Sequence, residues 1–436
     1  MAMTDFTIIR RSMSSRMFST VTTIITVAVA VGLMLVLLGM RKAARESFQR
    51  GSGNAHLIIS AEPDPMSVVL NTIFYSRLPQ QFLMYDRYER IVSGLPTKDP
   101  SGKLQNGYAI PVAQGDSYKG FPVLATTREF LTDFDPQLGV PWKFSQGGPF
   151  DGNMQVVVGA VAAKQTGLKL GDRIVLTHGV GDSRAGPPGH DHNEHPFEVV
   201  GVLAPSGTAH DRALVVSLES TWIVHAQDRL EREKGEGFLA TAADLNASDR
   251  KITGALLRFV AETRTSTPAV LQQVAFALKR EPGLTVAQPA FEIQKLFGIV
   301  SNIDQVLLAM AATVMVSSGI AIMLALYNSM EQRRRQIAVL RVLGCSRSRI
   351  FSLVLTESAL LGALGAVVGV FLAGAAQNLV AAIMKERLGL VIEPALAPEL
   401  VLGIIVSSVL LASFAGLLPA VMAYRTAVVT NLKPAV

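Results

Sequence analysis

One segment decides the fold, EQRRRQIAVLRVLGCSRSRIFSLVLTESALLGALGAVVG, residues 331–369. In it, an arginine-rich stretch is followed directly by a long stretch without charged residues. The uncharged stretch covers residues 358–384. As a helix rising about 1.5 Å per residue, it exceeds the roughly 30 Å hydrocarbon core of a bilayer. Arginines collect on the cytoplasmic side of membrane helices. The segment therefore predicts a transmembrane helix that starts at the cytoplasmic face.

Three further uncharged stretches are long enough to cross a bilayer: residues 17–40, 305–330 and 400–424. The mean hydropathy of +0.35 and the charged fraction of only 17% are typical of a membrane protein. The first stretch follows several arginines, as a cleaved signal peptide does, but it is longer than a signal core of about 7–15 residues. We therefore predict four anchored helices. The net charge of +6 accompanies no nucleic-acid-binding motif, so we expect no nucleic-acid partner.

The basic residues also predict the orientation of the helices. Residues 331–357 carry six arginines against two glutamates, whereas residues 385–399 have more acids than bases. The first segment is therefore predicted to be cytoplasmic and the second periplasmic, with both ends of the chain (1–16 and 425–436) cytoplasmic. Four basic residues fall on the outer side against this rule, namely Arg41, Lys42, Arg45 and Arg50. Long translocated domains override such charges, and residues 41–304 are long enough to be one.

Residues 41–304 are predicted to form an α+β domain outside the membrane. Strands are expected in NAHLIISA and ITGALLRFVAET, and an amphipathic helix in TPAVLQQVAFALKREPG. Between them, MQVVVGAVAAKQTGLKLGDRIVLTHG predicts strand, helix, turn and strand, and FEVVGVLAPSGTAHDRALVVSL predicts two more strands. We therefore expect a β-rich subdomain, about residues 148–225, inserted in an α+β unit. The sole cysteine, Cys345, lies outside this domain, so no disulfide holds it.

The order of these parts resembles the MacB/FtsX/LolCDE group of ABC-transporter permeases. The resemblance is carried by residues 331–369, by GLKLGDRI and FEVVGVLAPSGTAHDRALVV in the outer domain, and by LPAVMAYRTAVVTNLKP near the end. It implies a multi-pass subunit of the bacterial inner (cytoplasmic) membrane that forms a homodimer or pairs with a second permease. It also implies a separate cytoplasmic ATPase that binds ATP, and a periplasmic adaptor or binding protein as a further partner.

The segment after the second span is predicted to couple such an ATPase to the membrane helices. Its basic and apolar residues would form a short helix that rests on a partner, with the contact made by Arg334, Arg335, Ile337, Leu340, Arg341 and Leu343. Gly344 is suited to end this helix and Ser346 to begin the next. The alternative is that the arginines only fix topology and bind anionic lipid, which explains the charge but not the apolar face.

Three features of the last two spans suggest how they pack. Gly365 and Gly369 form a GxxxG pattern, which allows close helix contact and is weak support for dimerisation. Glu357 is expected either at the membrane interface or beside an arginine of residues 331–357. Pro419 is predicted to kink or end the fourth span.

The sequence contains no GxxxxGK[ST], HExxH or GxSxG motif, so we expect neither an ATPase nor a zincin or α/β-hydrolase. Two functions remain open. In the first, the permease uses ATP-driven motion to move or extract cargo at the outer face, metal-related cargo included. In the second, an FtsX-like regulator activates an envelope enzyme without cargo. The large outer domain favours the first.

Six of the seven histidines fall within about fifty residues, and three of them lie in the His-rich segment GPPGHDHNEH. His190, His192 and His195 are expected to be exposed on a loop, where imidazoles suit Zn²⁺. A solvated loop without metal explains the same composition, and His-rich tracts are only compositional hints. His210 lies in a separate loop, where it either stabilises a turn by hydrogen bonds or completes the metal site.

Overall fold

The structure of the chain is a computed structural model that describes residues 5–95, 107–178, 194–235, 237–259, 268–388 and 396–425. The chain divides into two compact units. The helical unit comprises residues 1–44, 300–382 and 393–436, and the α+β unit comprises residues 45–299 and 383–392.

The helices, in chain order, are α1 (Asp5–Ser14), α2 (Met17–Arg50), α3 (Pro65–Phe74), α4 (Tyr85–Ser93), α5 (Glu129–Thr132), α6 (Ala160–Thr166), α7 (Leu218–Lys234), α8 (Leu271–Leu278), α9 (Pro289–Val342), α10 (Arg347–Leu388) and α11 (Pro398–Arg425). The strands are β1 (Leu57–Ser60), β2 (Leu83–Met84), β3 (Tyr108–Tyr118), β4 (Phe121–Thr126), β5 (Phe144–Gly147), β6 (Gln155–Val158), β7 (Arg173–Ile174), β8 (Thr177–His178), β9 (Phe197–Leu203), β10 (Leu214–Ser217), β11 (Lys251–Ile252), β12 (Gly254–Arg258) and β13 (Thr285–Ala287).

In the part of the chain that the structure describes, four helical segments are long and apolar enough to cross a membrane, as predicted: Met17–Arg50, Gln305–Met330, Arg347–Met384 and Pro398–Arg425. The α+β unit lies between the first and the second in sequence, as predicted. Pro419 lies inside α11, which continues to Arg425, so of the two predicted effects, a kink or an end of the span, the structure rules out the end.

The four spans share one apolar core. Each contributes buried aliphatic or small side chains: Val27, Val31, Leu35, Ile322, Leu326, Leu361, Ala366, Ala373, Ile404 and Ala412. Large apolar side chains also point outward, among them Phe18 at 88% exposed and Phe371 at 75% exposed. A lipid environment is the medium in which such outward side chains are stable.

The α+β unit is built on a mixed sheet of eleven strands. Its order is β13-β1-β12-β3-β4-β10-β6-β9-β5, with β7 paired to β9 and β8 paired to β3. Strands β2 and β11 form a separate pair. Residues 144–217 therefore do not make a sheet of their own, because β10 bonds in parallel to β4 and so joins their strands to those of the flanking sequence.

Both faces of the sheet are buried, since alternate residues of each central strand enter different cores. Val156 and Val158 of β6 pack in one core, and Val157 packs in the other. The first core is completed by α4, α7 and α8, and the second by α3 and α5. The predicted strands in residues 54–61 and 252–263 and the predicted helix in residues 267–283 are confirmed as β1, β12 and α8.

Candidate functional site

Among the described residues, three side chains that commonly bind metals come together in the α+β unit: Asp116, His178 and His225. Asp116 Oδ1 lies 3.0 Å from Nδ1 of His178 and 3.0 Å from Nε2 of His225. The two imidazole rings meet edge to face, with centroids 5.0 Å apart. We call these three residues the Asp-His-His cluster.

Three different elements position the cluster. Asp116 lies in β3 at an irregularity between Gln114 and Ser117, where the pairing with β4 shifts register. Such bulges turn a side chain away from the regular alternation of a strand. His178 lies opposite Asp116 in the paired strand β8, and His225 comes from α7, which packs on the sheet.

The cluster combines a buried carboxylate with accessible imidazoles. The Asp116 side chain is 2% exposed, whereas those of His178 and His225 are 57% and 35% exposed. Both histidines line a cavity of about 350 Å³ that also contacts Trp222 and Lys251. Two imidazole nitrogens and one carboxylate oxygen suit Zn²⁺ and related divalent ions. A metal with these three ligands would keep a coordination position towards the cavity.

Sequence reasoning noticed the two histidines but missed Asp116. His178 and His225 are two of the six histidines that fall within about fifty residues, but they lie outside the His-rich segment. Asp116 precedes them by 62 and 109 positions. The sequence gives no sign that such distant residues meet, because their contact depends on the pairing of β8 with β3 and on the packing of α7.

The three histidines predicted to bind metal, His190, His192 and His195, are not part of the Asp-His-His cluster. His190 and His192 lie outside the described residues. His195 is only 5% exposed, and its Nε2 lies 2.9 Å from Oε1 of Gln227. The prediction that the His195 imidazole is exposed is therefore wrong, since this histidine packs beside the start of β9 and not on a solvated loop.

His210 is a buried residue of the second core. Its Nδ1 lies 2.6 Å from the hydroxyl of Tyr75, and its ring meets those of Phe130, Phe134 and Trp142 edge to face. The turn is held by the neighbouring Asp211, which accepts hydrogen bonds from the backbone of residues 206 and 207, whereas the His210 side chain bonds to Tyr75. Burial lowers the pKa of His210 to about 3, so the imidazole is neutral at physiological pH.

This buried histidine predicts that acid destabilises the α+β unit. The unfolded chain binds a proton on His210 below its ordinary pKa of 6.5, while the folded chain resists protonation down to about 3. Unfolding therefore becomes easier as pH falls, by about 2 kcal/mol between roughly pH 7.5 and pH 5. Both tryptophans, Trp142 and Trp222, lie in this unit, so their fluorescence reports its unfolding. His210→Gln should remove this contribution and leave that of His56, whose pKa is also lowered by burial, to about 4. An unchanged slope would show that His210 does not contribute.

In the helical unit, α9 and α10 continue beyond their uncharged spans and form a helical hairpin, residues 331–357. Its turn has the expected caps. Gly344 has a left-handed φ of 94°, and the N–H of Cys345 donates to the Leu340 carbonyl at 3.0 Å. The Ser346 hydroxyl accepts from the backbone N–H of Arg349 at 3.2 Å. The predicted roles of Gly344 and Ser346 are confirmed.

The expected separate short helix is wrong, because α9 runs without interruption through the second span to Val342. Residues 331–342 contain neither glycine nor proline, so nothing in the sequence breaks the helix there. Arg334 and Arg335 lie in this helix, and their side chains are outside the described set.

The predicted apolar face of the hairpin is divided between two environments. Ile337 is 6% exposed and packs against Ile350 and Val354 within the hairpin. Leu340 is partly buried beside a cavity of about 500 Å³ that α1 also lines. Arg341 is likewise partly buried. Leu343, at the turn of the hairpin, is 77% exposed. It is therefore the apolar residue of the predicted face that a partner could contact.

The base of the hairpin is held by the N-terminal segment. Glu357 is 4% exposed, and its Oε1 accepts hydrogen bonds from Arg16 Nη2 and the Ser12 hydroxyl, both at 2.7 Å. Its partner is therefore an arginine from the start of the chain. The ion pair between Asp5 and Arg349 joins α1 to α10 at a second point.

The two glycines of the GxxxG pattern face α2 of the same chain. A Cβ atom added to Gly365 would lie 2.5 Å from Cβ of Val27. One added to Gly369 would lie 2.8 Å from the carbonyl oxygen of Ala28 and 2.8 Å from Cβ of Val31. These glycines therefore allow α2 and α10 to approach closely.

Four membrane-spanning helices with a large α+β domain inserted between the first and second define a multi-pass membrane protein of the permease type. Residues 17–276 match the MacB-like periplasmic core domain, and residues 308–428 match the C-terminal region of FtsX-like permeases. The chain thus belongs to the family of FtsX-like permeases with a MacB-like periplasmic core domain, which are multi-pass proteins of the inner membrane.

An individual relative is also similar. The chain is 25% identical over 157 residues to an uncharacterized ABC transporter permease of Methanocaldococcus jannaschii. The match covers 35% of this chain and 39% of the relative, so it spans about two fifths of that protein's length.

Proposed function

We propose that the chain is the membrane subunit of an ABC transporter and passes ATP-driven motion from a separate ATPase to its periplasmic domain. The observation that carries this proposal is the helical hairpin. Leu343 lies 13 residues beyond the second span, which ends at Met330, or about 20 Å further along the helix. An apolar side chain exposed so far from the hydrocarbon core is better covered by protein than by lipid.

The continuity of α9 supports transmission of motion. This helix has 54 residues and includes parts of both units. A single helix of about 80 Å carries displacement along its length without a flexible joint. The ion pair between Arg16 and Glu357 connects the hairpin to the turn between α1 and α2. The contact of Ile337 with Val354 joins α9 to α10 within the hairpin. A push on the hairpin would therefore move several helices together.

The absence of a phosphate-binding GxxxxGK[ST] motif from the sequence supports the assignment of ATP hydrolysis to another subunit. We therefore propose that the chain itself is not an enzyme. The family resemblance supports a homodimer or a pair of related permeases, surrounded by membrane lipid and joined by a periplasmic adaptor or binding protein.

Extraction or movement of cargo at the outer face is the function that the large α+β unit supports best. A regulator of the FtsX kind would instead use this unit to activate an envelope enzyme. The two are separated by crosslinking the α+β unit in intact cells and identifying the bound molecule. Capture of a binding protein, a lipoprotein or another cargo supports transport, whereas capture of a peptidoglycan hydrolase supports regulation.

The proposal requires that the His-rich segment and the hairpin lie on opposite sides of the membrane. In a Cys345→Ser background, Asn193→Cys should react from outside with an impermeant thiol reagent, and Arg347→Cys should react only after the membrane is opened. The two single-cysteine variants are controls for each other. The reverse labelling pattern would contradict the orientation and the coupling role of the hairpin.

A further inference from the structure

We propose that Asp116, His178 and His225 form a binding site for a divalent transition metal, with Zn²⁺ as the expected ion. This site is distinct from the His-rich segment that the sequence pointed to, because it uses a carboxylate from β3 and histidines from β8 and α7. It would give the α+β unit a labile metal site, independent of whether the hairpin binds an ATPase.

The distances suit coordination by a single ion. Zinc bonds to histidine nitrogen and carboxylate oxygen are about 2.0–2.2 Å long, so neighbouring ligand atoms of a tetrahedral site lie about 3.3 Å apart. Oδ1 of Asp116 is already 3.0 Å from one nitrogen of each histidine, and the three ligand atoms all lie within 4.8 Å of one another. Only small side-chain movements would bring all three to bonding distance.

The ligands are also held by the fold. Asp116 is fixed in a core strand with its side chain 2% exposed. His225 is carried by a helix of 17 residues, which begins with the Ser217 hydroxyl accepting the backbone N–H of Ser220. Trp222, one turn before His225, donates from its indole to the carbonyl of Lys251 at 2.8 Å. Ligands on rigid elements need less ordering on binding than those on a loop.

The cavity beside the cluster determines the kind of metal site. Structural zinc sites are closed by four protein ligands, whereas sites that exchange or react keep a position open. His178 and His225 line a cavity of about 350 Å³, and the described part of the chain brings three ligands together, which leaves a position towards the cavity for water or an incoming molecule. We infer an exchangeable site that receives a metal ion or holds a metal-bearing ligand.

The competing explanation is that the imidazoles only hydrogen-bond to a buried carboxylate. Both explanations account for the 3.0 Å distances, but only the metal site predicts tight and selective binding. The exposure of the two histidine side chains, 57% and 35%, makes them suitable for substitution, because neither fills the core. A loss of binding in their variants is therefore separable from a loss of folding.

The test uses the full chain, purified in detergent and freed of metal. Zn²⁺ affinity is measured by competition with a chromophoric chelator, and Co²⁺ is added separately because its visible absorption distinguishes tetrahedral from octahedral coordination. The variants are His178→Ala, His225→Ala and their double substitution. The matched control is His190→Ala/His192→Ala, which removes two histidines of the His-rich segment and spares the cluster.

We expect each single variant to weaken Zn²⁺ binding by more than tenfold, since even indirect partners of a metal commonly cost about 10- to 100-fold. The Co²⁺ complex should lose its tetrahedral absorption in the double variant. The temperature of unfolding of the α+β unit should be unchanged in these variants, which verifies folding. Zn²⁺ binding by the double variant equal to that of the parent would overturn the proposal, as would a parent that binds no Zn²⁺ at tens of micromolar. Neither result would bear on ATPase recruitment.

Discussion

Replacement of Gly369 by leucine should disrupt the helical unit. The Cβ atom alone would approach the backbone carbonyl of Ala28 to 2.8 Å, and a backbone atom cannot rotate away as a side chain can. The axes of α2 and α10 would have to separate, which opens the apolar core between Val31 and Ala373. Overpacking usually costs about 1–3 kcal/mol, and the added leucine carbons raise this towards the upper limit or beyond.

The matched control lies on the same helix. A Cβ atom at Gly374 would meet no atom of the described residues within 4 Å, so Gly374→Leu adds the same side chain without the clash. Thermal unfolding in detergent, followed by loss of the monodisperse peak in size-exclusion chromatography, should occur at much lower temperature for Gly369→Leu than for Gly374→Leu. Equal stability of the two variants would show that the close contact with α2 is unimportant.

These glycine contacts also bear on how the chain associates. The GxxxG pattern indicated a close helix contact, and the structure shows that the partner of Gly365 and Gly369 is α2 of the same chain. A pattern of small residues identifies a contact face but carries no information about which helix will fill it. If the protein dimerises, other surfaces make the contact.

The parts that sequence predicted well depend on local chemistry. The four spans follow from uncharged stretches, and the caps at Gly344 and Ser346 follow from the conformations that glycine and serine favour at helix ends. The strands of FEVVGVL and ALVVSL follow from alternation and a turn between them. In each case the residues that determine the element lie within a few positions of it.

The parts that sequence missed depend on distant neighbours. The apolar spacing of Ile337, Leu340 and Leu343 indicated one face, but the packing of Ile337 against Val354 turns that residue inward. Glu357 accepts a hydrogen bond from Arg16, which lies 341 positions away in the sequence. Asp116 is a similar case. It can be recognised as a candidate metal ligand only from the folded structure, in which β8 and α7 place histidines beside it.

The turn of the hairpin yields the second large prediction. Leu343 is 77% exposed, so Leu343→Asp should leave the membrane fold intact. If the ATPase covers this leucine, the substitution removes an apolar contact of about 1.5–3 kcal/mol and buries a charge instead. The combined effect should lower the affinity for the ATPase by more than about tenfold. We expect charge reversal at Arg334 and Arg335 to have a smaller effect than Leu343→Asp, because an ion pair that stays in contact with water contributes little.

A suitable control makes the same change in the α+β unit. Leu239 in the α+β unit is 58% exposed, and Leu239→Asp should not alter ATPase binding. The Ile337→Asp variant is unsuitable for this purpose, since Ile337 is buried and its substitution would unfold the hairpin.

The most direct measurement is co-purification of the ATP-binding subunit with the parent chain and with the Leu343→Asp and Leu239→Asp variants, followed by assay of ATP hydrolysis. We expect the parent and Leu239→Asp to retain the ATPase and to change its rate of hydrolysis, and Leu343→Asp to lose both effects while it remains folded. Full retention and unchanged hydrolysis with Leu343→Asp, or a parent that recruits no ATPase, would contradict the proposed coupling by the hairpin.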